Sequence, residues 1–535
     1  MQLLWFRRDL RLLDNECVAE AIAYGDEVVP FFIIDPWFYR NTNLTALRVR
    51  FLFESLLDLD DNLRACASRL YLFEGESFAV IQQLTRFFLG QNLTPKLLFN
   101  RDVQVKYGIE RDRRLKKFYA DQNLELFVGT NHYIQQPKLN WKTWLKDHKA
   151  YLKAKPFDAP KYIQTPNLKR SQSGLPIIDF RTLVKKYRRF WQCARVDFLG
   201  GESIAHNTLK SFLDKRFWGY HWRLSQPWLA QQGSTSHLSP HLTFGTISTR
   251  TIYQAVQAKR KELKANSKKT EFDGETKADF SLKSFGDRLR WHDSFTQRLY
   301  YRPDIAYRNY YSEYDDWYSP EPLNDQKAEL FAAWQAGETG FPLIDASMRQ
   351  LKTMGWMNFR MRAMCVTFLT INCGVSWHHG AEHFMNHLVD GDIAINHWQW
   401  QMQAGITNPM SRSFRIYNPS KNLIDRDPDL QFIRHWIPEL RGYSLPEIEQ
   451  KKYLGKGLYP QEILNWPQTR KINGKVISEL RAIVRERLKT EKGEEFEAAQ
   501  RVKAVIERYM KYQEEEYRRS RFQQLELHLD YEGDG

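Results

Sequence analysis

The stretch DGDIAINHWQWQMQAG, residues 390–405, combines two acids, an amide and two indoles in a short span. If it forms a helix, Asp392, Asn396 and Trp400 fall at positions i, i+4 and i+8, roughly on one face. Asp390 lies just before this face, near the start of the helix. These residue types are typical of a metal site, a sugar-nucleotide site, a buried structural helix or a pocket for a flat redox cofactor.

A metal site is the weakest of these four interpretations. An Asp-x-Asp pair binds a divalent ion together with a sugar nucleotide, but so short a pattern occurs by chance in most long chains. The nearby segment HHGAEH lacks the HExxH order of a zinc protease. We therefore interpret His378, His379 and His383 as surface or capping residues, and we predict no metal.

Other segments supply cations and further rings for a cofactor pocket. GWMNFRMRAM contributes Trp356, Arg360 and Arg362, and SWHHGAEHF contributes Trp377. Together with residues 390–405, one pocket would hold an Arg–Asp pair, a carboxamide and a chain of indoles. Each single indole is about equally well explained as a packed core residue.

The segment STSHLSPHLTFGTIS, residues 234–248, is a candidate phosphate-binding turn. Ser234, Thr235, Ser236 and Ser239 would present hydroxyls and backbone N–H groups at a helix N-terminus, which binds phosphate well without a P-loop. Such clusters are more often ordinary caps and loops. The segment therefore supports a phosphate site only in combination with the other candidate cofactor-binding segments.

Composition favours a polyanionic partner such as nucleic acid. The chain has 79 Lys and Arg against 64 Asp and Glu, a net charge of +15, and 14% aromatic residues. The segments KSFLDKRFWGYHWR and SFGDRLRWHDSF alternate basic and aromatic side chains, which suit phosphates and stacked bases. A large aromatic core is the alternative explanation of the rings.

The cysteines and the hydropathy pattern exclude several classes of protein. Cys17, Cys66, Cys193, Cys365 and Cys373 are scattered without a CxxC pair. This disfavours a disulfide framework, a zinc module and an iron–sulfur cluster, and it fits a reducing compartment. No apolar run reaches membrane-spanning length, and the N-terminus is typical of folded protein rather than a leader. We expect a soluble, cytoplasmic protein.

Five short apolar runs near the N-terminus predict buried strands: QLLWF, EVVPFFIID, RLYLFEG, PKLLFN and LELFVG. Amphipathic stretches separate them, and this alternation predicts a doubly wound parallel sheet. We predict an α/β domain over residues 1–130, a Pro- and Lys-rich connector over 131–200, an all-helical domain over 201–510 and a short tail over 511–535. The helical domain ends in a charged amphipathic stretch, whose charges we interpret as a solvated face, with nucleic-acid contact as the alternative.

Five segments resemble, in the same order, the photolyase/cryptochrome family: LLWFRRDLRLLDNE, STSHLSPHLTFGTIS, TGFPLIDASMRQLKTMGWM, HFMNHLVDGDIAIN and FRIYNPSKNLIDRDPDLQFIRHWIPEL. The resemblance covers residues 1 to 510 and is weakest over 131–230. It implies a light-driven flavoprotein with FAD inside the helical domain, and we expect the protein to be a monomer. The α/β domain would carry any antenna chromophore, whose identity FNRDVQVKYG does not reveal.

The resemblance assigns one group of residues to the phosphates and ribityl chain of FAD: Tyr220, Ser234, Thr235, Ser236, Leu238 and Ser239. It places Trp356 beside the adenine and isoalloxazine, and it pairs Arg362 with Asp390 against the flavin ring. Asp392 would contact the cofactor nearby, and Asn396 would face flavin N5. A buried anionic flavin requires such a fixed cation and hydrogen bonds.

The resemblance also implies an electron relay of tryptophans. Trp400 and Trp377 match its first two members, but Asn324 stands roughly where the third indole is expected. The candidates for the missing member are Trp317, Tyr318, Trp334 and Trp398.

The chain departs from the family pattern where DNA lesions bind. Trp291 matches the indole that stacks on a flipped pyrimidine dimer, but Arg288 replaces the Glu that binds the dimer and His292 replaces the next Arg. Phe359 stands at the position of a pocket Asn, where we expect it to line the cofactor site, and Met402 replaces a second lesion-flanking Trp. The histidine pair typical of repair of six-four photoproducts is absent from GWMNFRMRAM.

Two functions follow from the resemblance. The first is a deoxyribodipyrimidine photo-lyase, which splits cyclobutane dimers in single- or double-stranded DNA by electron transfer from photoexcited reduced FAD, with Arg288 binding the dimer carbonyls. The alternative is a cryptochrome-type blue-light photoreceptor, in which flavin photoreduction replaces repair. A glycosyltransferase using Asp390 and Asp392 is a third reading, which a colourless purified protein would favour.

Overall fold

The computed structural model describes most of the chain up to residue 489. The described residues are 1–39, 44–103, 106–136, 138–169, 174–193, 195–267, 274–411, 414–454, 457 and 459–489. The predicted tail over 511–535, and the part of the charged amphipathic stretch after residue 489, lie outside these residues.

One six-stranded sheet forms the N-terminal part of the chain. Its strands are β1 Gln2–Trp5, β2 Val28–Ile34, β3 Tyr71–Glu74, β4 Lys96–Arg101, β5 Leu126–Thr130 and β6 Ile177–Ile178. The order is β5-β4-β1-β2-β3-β6, and all neighbours are parallel except β6, which runs antiparallel to β3. The five predicted strands and their parallel arrangement are confirmed, whereas the short β6 was not predicted.

Strands β1 to β4 are buried on both faces, as their near-continuous apolar sequences require, whereas the edge strand β5 is mostly half-buried. Successive strand residues point to opposite faces. Leu3 and Phe31 therefore belong to one buried cluster, and Leu4 and Phe32 belong to another. Helices cover both clusters, as expected for a doubly wound sheet.

Seven helices accompany the sheet in the described part of the chain before residue 200: Glu16–Ile22, Pro36–Tyr39, Ala46–Ala65, Ser77–Leu89, Lys106–Asp121, Trp141–Lys153 and Phe180–Lys186. The Trp141–Lys153 helix lies in the predicted connector, where the sequence indicated little periodic structure. Asn140 caps it by accepting a hydrogen bond from Lys142 N at 3.0 Å. Its buried residues are Trp144, His148 and Leu152, a stripe too short to stand out in a Lys-rich segment.

The remainder is helical, which confirms the predicted fold class. Its α-helices are Glu202–Ser211, Tyr220–Arg223, Pro227–Leu229, Ser239–Phe244, Thr249–Ser267, Gly274–Tyr301, Asp325–Ala336, Pro342–Met354, Phe359–Thr367, Trp377–His387, Ile393–Gln403, Pro419–Arg426, Gln431–Trp436, Leu445–Glu449 and Trp466–Lys489. π-Helical segments are Phe212–Arg216, Ala230–Ser234 and Phe368–Asn372. Within the described ranges, no helix is both long and apolar enough to cross a bilayer.

The chain divides into two compact units. The first contains Met1–Ala306, Gln350–Arg360 and Phe384–Asn396, and the second contains the intervening segments and the residues from His397 onward. The predicted boundaries after residues 130, 200 and 510 stay predictions.

Glu202 joins the helical part of the first unit to the loop after β1. It begins the Glu202–Ser211 helix, and its carboxylate accepts hydrogen bonds from Leu12 N at 2.8 Å and Leu13 N at 2.9 Å. Burial raises the pKa of Glu202 to about 7, against the opposing effect of these two N–H donors. The folded protein therefore holds this proton at pH values where the unfolded chain, with an ordinary pKa of 4.5, has released it.

This raised pKa predicts a stability that falls as the pH rises. Relative to Glu202→Gln, the wild-type protein should lose roughly 2–3 kcal/mol of unfolding free energy between pH 5 and pH 8. The stabilisation by the protonated Glu202 side chain is fully present below the pKa of the unfolded chain, and it is lost as the pH rises through the pKa of the folded protein. Denaturant unfolding of both proteins at the two pH values measures the difference. Parallel pH profiles for the two proteins would contradict the prediction.

Candidate functional site

A polar turn precedes the Ser239–Phe244 helix in the first unit. The π-helical segment Ala230–Ser234 leads into it, and Gly233 has φ 94°, a conformation that favours glycine. Ser234 Oγ and Thr235 Oγ1 are buried and have no hydrogen-bond partner among the described residues. Buried hydroxyls normally have partners, so this turn fits a polar ligand such as a phosphate.

Arg216, the last residue of the π-helical segment Phe212–Arg216, holds this turn in place by hydrogen bonds. Its guanidinium donates to the carbonyl oxygens of Gly233 at 3.0 Å, Ser236 at 3.4 Å and Thr235. It thus fixes the backbone between the two unpartnered hydroxyls and places a positive charge behind them. Sequence reasoning did not assign Arg216, although it lies in a segment already singled out as basic and aromatic.

The side chains around Trp356 lie against the same turn. The buried Trp356 ring meets His237 edge to face at 5.2 Å between centroids and Phe198 at 5.9 Å. Asn358 is buried, and its Nδ2 donates to Leu224 O at 3.0 Å, whereas its Oδ1 has no hydrogen-bond partner among the described residues. Trp356 and the turn are therefore neighbours, as their shared assignment to the cofactor requires.

The predicted helix in the 390–405 stretch is confirmed as Ile393–Gln403. Asp392 caps its N-terminus, since Oδ1 accepts hydrogen bonds from Ala394 N at 2.9 Å and Ile395 N at 3.2 Å. Asn396 lies one turn later, and its N donates to Asp392 O at 2.7 Å. The roles of Asn396 at flavin N5 and of Asp392 at the cofactor stay predictions.

Asp392 also forms an ion pair that sequence reasoning missed. Arg8, which follows β1, donates from Nη2 to Asp392 Oδ2 at 2.6 Å. Burial alone raises the pKa of Asp392, but the Arg8 guanidinium and the capping N–H groups hold it well below its usual value. Gly245, with φ 66°, approaches the Arg8 carbonyl so closely that a Cβ would overlap it. The Asp392 carboxylate therefore caps a helix and pairs with Arg8, a structural role that is independent of any cofactor.

Asp390 is buried just before this cap. Its carbonyl oxygen accepts a hydrogen bond from Thr243 Oγ1 at 3.0 Å, which ties the segment to the Ser239–Phe244 helix. The predicted pairing of its carboxylate with Arg362 stays a prediction.

The buried indoles of the second unit include both relay candidates named first. Trp400 packs on Gly380 so closely that a Cβ there would overlap its six-membered ring. Trp377 Nε1 donates to Asn309 Oδ1 at 2.7 Å, and its ring meets His397 edge to face at 5.7 Å. Gly380 lies inside the Trp377–His387 helix, and a glycine in a helix interior is the sequence signal for such a close approach.

The candidates for the missing relay member differ in their contacts. Trp334 is fully buried and meets Trp400 edge to face at 6.1 Å between centroids. Trp398 packs instead on Tyr310 at 5.1 Å. Asn324 caps the Asp325–Ala336 helix by accepting from Lys327 N at 2.9 Å. Trp334 is thus a ring neighbour of Trp400, and the identity of the third relay member stays a prediction.

An exposed aromatic and cationic cluster lies on the Gly274–Tyr301 helix. Trp291 is 39% exposed, and the Arg288 guanidinium carbon lies 4.4 Å from its ring centroid and 4.8 Å from that of Phe359. Burial raises the pKa of the nearby Tyr220, and the positive charge of Arg288 opposes this shift. The structure thus brings residues assigned to the lesion next to two assigned to the cofactor. His292 is buried and does not share this exposed surface.

Comparisons with known proteins agree with this arrangement. A family model described as DNA photolyase matches residues 2–158, and one described as FAD binding domain of DNA photolyase matches residues 285–479. The deoxyribodipyrimidine photo-lyase of Streptomyces griseus is 31% identical over 479 residues, which cover 87% of this chain and 96% of that protein. The chain belongs to the photolyase/cryptochrome family. The resemblance stated from the sequence is confirmed.

Relatives of this photolyase/cryptochrome protein carry both family names. Cryptochrome DASH of Gloeobacter violaceus is 27% identical, with 88% of this chain and 94% of that protein covered. The crystal structure of an archaeal photolyase from Sulfolobus tokodaii, with two FAD molecules, matches at 29% identity and a TM-score of 0.70. That match covers 89% of this chain and 99% of the other.

The cofactor prediction is confirmed at the level of the family: the helical part contains an FAD-binding domain. The described residues fit this cofactor, because the turn offers the unpartnered hydroxyls of Ser234 and Thr235 for phosphate oxygens. Arg216 adds positive charge beside them. The individual contacts assigned to FAD stay predictions.

Proposed function

We propose that this protein is a light-driven DNA repair enzyme, a deoxyribodipyrimidine photo-lyase that splits cyclobutane pyrimidine dimers. The observation that carries the proposal is the cluster of Trp291, Arg288 and Phe359. Relatives named photo-lyase, such as that of Streptomyces griseus, support it. The net charge of +15 suits a DNA partner.

Trp291 supplies the stacking surface for the lesion. Its indole is partly exposed, and Arg288 three residues earlier on the helix restrains it. Base–aromatic stacking contributes about 1–3 kcal/mol for each base. A dimer is flipped out of the duplex at a lower cost than an intact pair, because its stacking and pairing are already weakened.

Arg288 takes the place of the family's Glu with the opposite charge. A guanidinium donates hydrogen bonds in a planar fork and remains charged at any physiological pH. Held between Trp291 and Phe359, it would donate to the dimer carbonyl oxygens and stabilise the negative charge that develops on them. Bound FAD, reduced and excited by light, supplies the electron. Ser234, Thr235 and Asn396 would hold it in position.

The test measures repair of a thymine dimer in single- and double-stranded oligonucleotides by the pre-reduced, FAD-loaded protein under blue light. Arg288→Ala should lower repair per absorbed photon by roughly tenfold or more, since a hydrogen bond to a charged group contributes about 1.5–3 kcal/mol. Arg290→Ala is the matched control, because Arg290 carries the same charge on the same helix and pairs with Asp287 at 3.5 Å. We expect the control to repair within about twofold of the wild type.

Two outcomes would count against the proposal. Absence of repair on both substrates, with normal flavin photoreduction, would exclude the enzyme. Equal losses in the two arginine variants would reduce the role of Arg288 to general attraction of the phosphates.

A cryptochrome-type photoreceptor is the second candidate. Arg288 in place of the Glu favours it, and so does the buried Trp400–Trp334 pair, which suits photoreduction without a lesion. Normal photoreduction with no repair is the result that this candidate predicts. The absorbance spectrum of the purified protein then shows whether an antenna chromophore accompanies FAD.

A further inference from the structure

A second cluster of ionisable side chains lies behind the exposed cluster of Trp291 and Arg288 and includes His292, the buried neighbour of Trp291. His132 follows β5, and His292 and Asp293 lie on the Gly274–Tyr301 helix. All three are buried, and one nitrogen or oxygen atom from each lies within 4.8 Å of the other two. The whole cluster belongs to the first unit.

The spacing of these atoms suits one metal ion. Asp293 Oδ1 lies 3.0 Å from His292 Nδ1 and 4.0 Å from His132 Nδ1. Zinc binds nitrogen and oxygen at about 2.0–2.2 Å, and in its usual tetrahedral geometry two ligands of one ion lie about 3.4 Å apart. The pair of Asp293 and His292 already fits this separation, the pair of Asp293 and His132 needs to close by about 0.6 Å, and the pair of histidines needs to close by at most about 1.4 Å.

His132 supplies an independent sign of a missing partner. Its side chain is 8% exposed, and its Nδ1 has no hydrogen-bond partner among the described residues. Its other ring nitrogen, Nε2, makes only a long contact of 3.4 Å with Asn131 Nδ2. A buried ring nitrogen without a partner destabilises the fold unless a ligand satisfies it.

The carboxylate is held from its other side, as metal-bound carboxylates usually are. His148 Nε2 lies 2.8 Å from Asp293 Oδ2, and Thr249 Oγ1 donates to the same oxygen at 3.2 Å. The His148 ring stacks on Trp144 at 4.6 Å between centroids, which fixes its orientation. Asp293 can therefore present Oδ1 to an ion without losing these contacts.

The charged side chains around the cluster are compatible with a bound cation. The guanidinium of Arg8 is matched by Asp392 at 2.6 Å and Asp102 at 3.7 Å. The partners of Asp293 among the described residues are histidines and a threonine. None of these partners carries a permanent charge, and a divalent ion would give the buried carboxylate a fixed cation.

We propose that His132, His292 and Asp293 bind a divalent transition-metal ion of the zinc class, which ties the end of β5 to the Gly274–Tyr301 helix. Two imidazoles and one carboxylate are a recurrent ligand set for such ions. Metal-bound histidine is neutral and metal-bound aspartate is ionised, so binding releases to solvent any proton that these ligands carry. The proposal does not rest on the repair activity.

The test is the zinc content of the FAD-loaded protein. The protein is treated with a chelator, incubated with a small excess of zinc chloride, desalted and measured by inductively coupled plasma mass spectrometry. We expect one zinc per chain for the wild type and less than a tenth of that for His132→Gln. His379→Gln is the control for adventitious binding, because His379 lies on another helix with its Nε2 3.2 Å from Glu321 O. It should retain the full stoichiometry.

No zinc in the wild type, or equal zinc in the wild type and His132→Gln, would overturn the proposal. If His132→Gln loses FAD or fails to fold, anomalous diffraction at the zinc edge from crystals of the zinc-treated wild type shows whether an ion occupies the site. A peak within bonding distance of His132, His292 and Asp293 supports the site. A peak elsewhere, or none, overturns it.

Discussion

Photoreduction of the oxidised flavin is expected to slow by about one order of magnitude or more in Trp400→Phe, which corresponds to a barrier higher by more than about 1.4 kcal/mol. A phenyl ring preserves much of the packing on Gly380 but is far harder to oxidise than an indole. Transient absorption after a flash of blue light measures the rate. Repair by pre-reduced protein should stay within about twofold of the wild type, because that reaction does not use the relay.

Two further variants test which indole follows Trp400. Trp334 is in direct ring contact with it, whereas Trp377 is the member that the family pattern assigns. If the electron passes from Trp334 to Trp400 through their ring contact, Trp334→Phe will slow photoreduction about as much as Trp400→Phe does. A loss confined to Trp377→Phe would favour the family's route. Equal loss of repair and photoreduction in Trp400→Phe would contradict the relay assignment itself.

Asp392→Ala should destabilise the first unit by about 3 kcal/mol, because it leaves the largely buried Arg8 with only the more distant Asp102, at 3.7 Å, as a carboxylate partner. It also removes the cap of the Ile393–Gln403 helix, a loss of about 1 kcal/mol. Denaturant unfolding at neutral pH measures the combined effect. Since Arg8 lowers the pKa of Asp392, the wild-type contribution is present above the unfolded value of 3.8 and is lost as the pH falls below it.

The matched control for this prediction is the double variant Arg8→Met with Asp392→Leu. Replacing both charges of the closer pair with apolar side chains removes the unmatched Arg8 and leaves only the longer contact of Asp102 lost, so the double variant should regain most of the stability that Asp392→Ala loses. Asp392→Asn should fall between the two, because its amide oxygen still caps the helix. A double variant as unstable as Asp392→Ala would show that the cap, not the ion pair, is the larger contribution.

Local patterns determined much of this molecule. The five apolar runs predicted the parallel strands, because a strand buried on both faces must be apolar throughout. The spacing of Asp392, Asn396 and Trp400 predicted a helix, and the Ile393–Gln403 helix is present. Long motifs in the right order identified the family, which the comparisons confirmed. Each of these signals lies within one continuous segment.

In the predicted connector, the local sequence pattern was not sufficient to predict the secondary structure. Residues 131–200 lack a sustained period, yet they contain the Trp141–Lys153 helix and the edge strand β6. A helix with three buried residues and a strand of two residues leave too little periodicity to be recognised in a Lys- and Pro-rich background. Both elements depend on packing against other parts of the chain.

The sequence by itself determined the parallel sheet, the helical remainder, the family and the residue types available for a flavin site. Only the tertiary structure decided which of those residues meet. Arg8 reaches Asp392 across a separation of 384 residues, Trp334 meets Trp400, and His132 joins Asp293. Spacing along the chain specifies neighbours within one helix or strand, whereas contacts between distant segments follow from how buried faces pack.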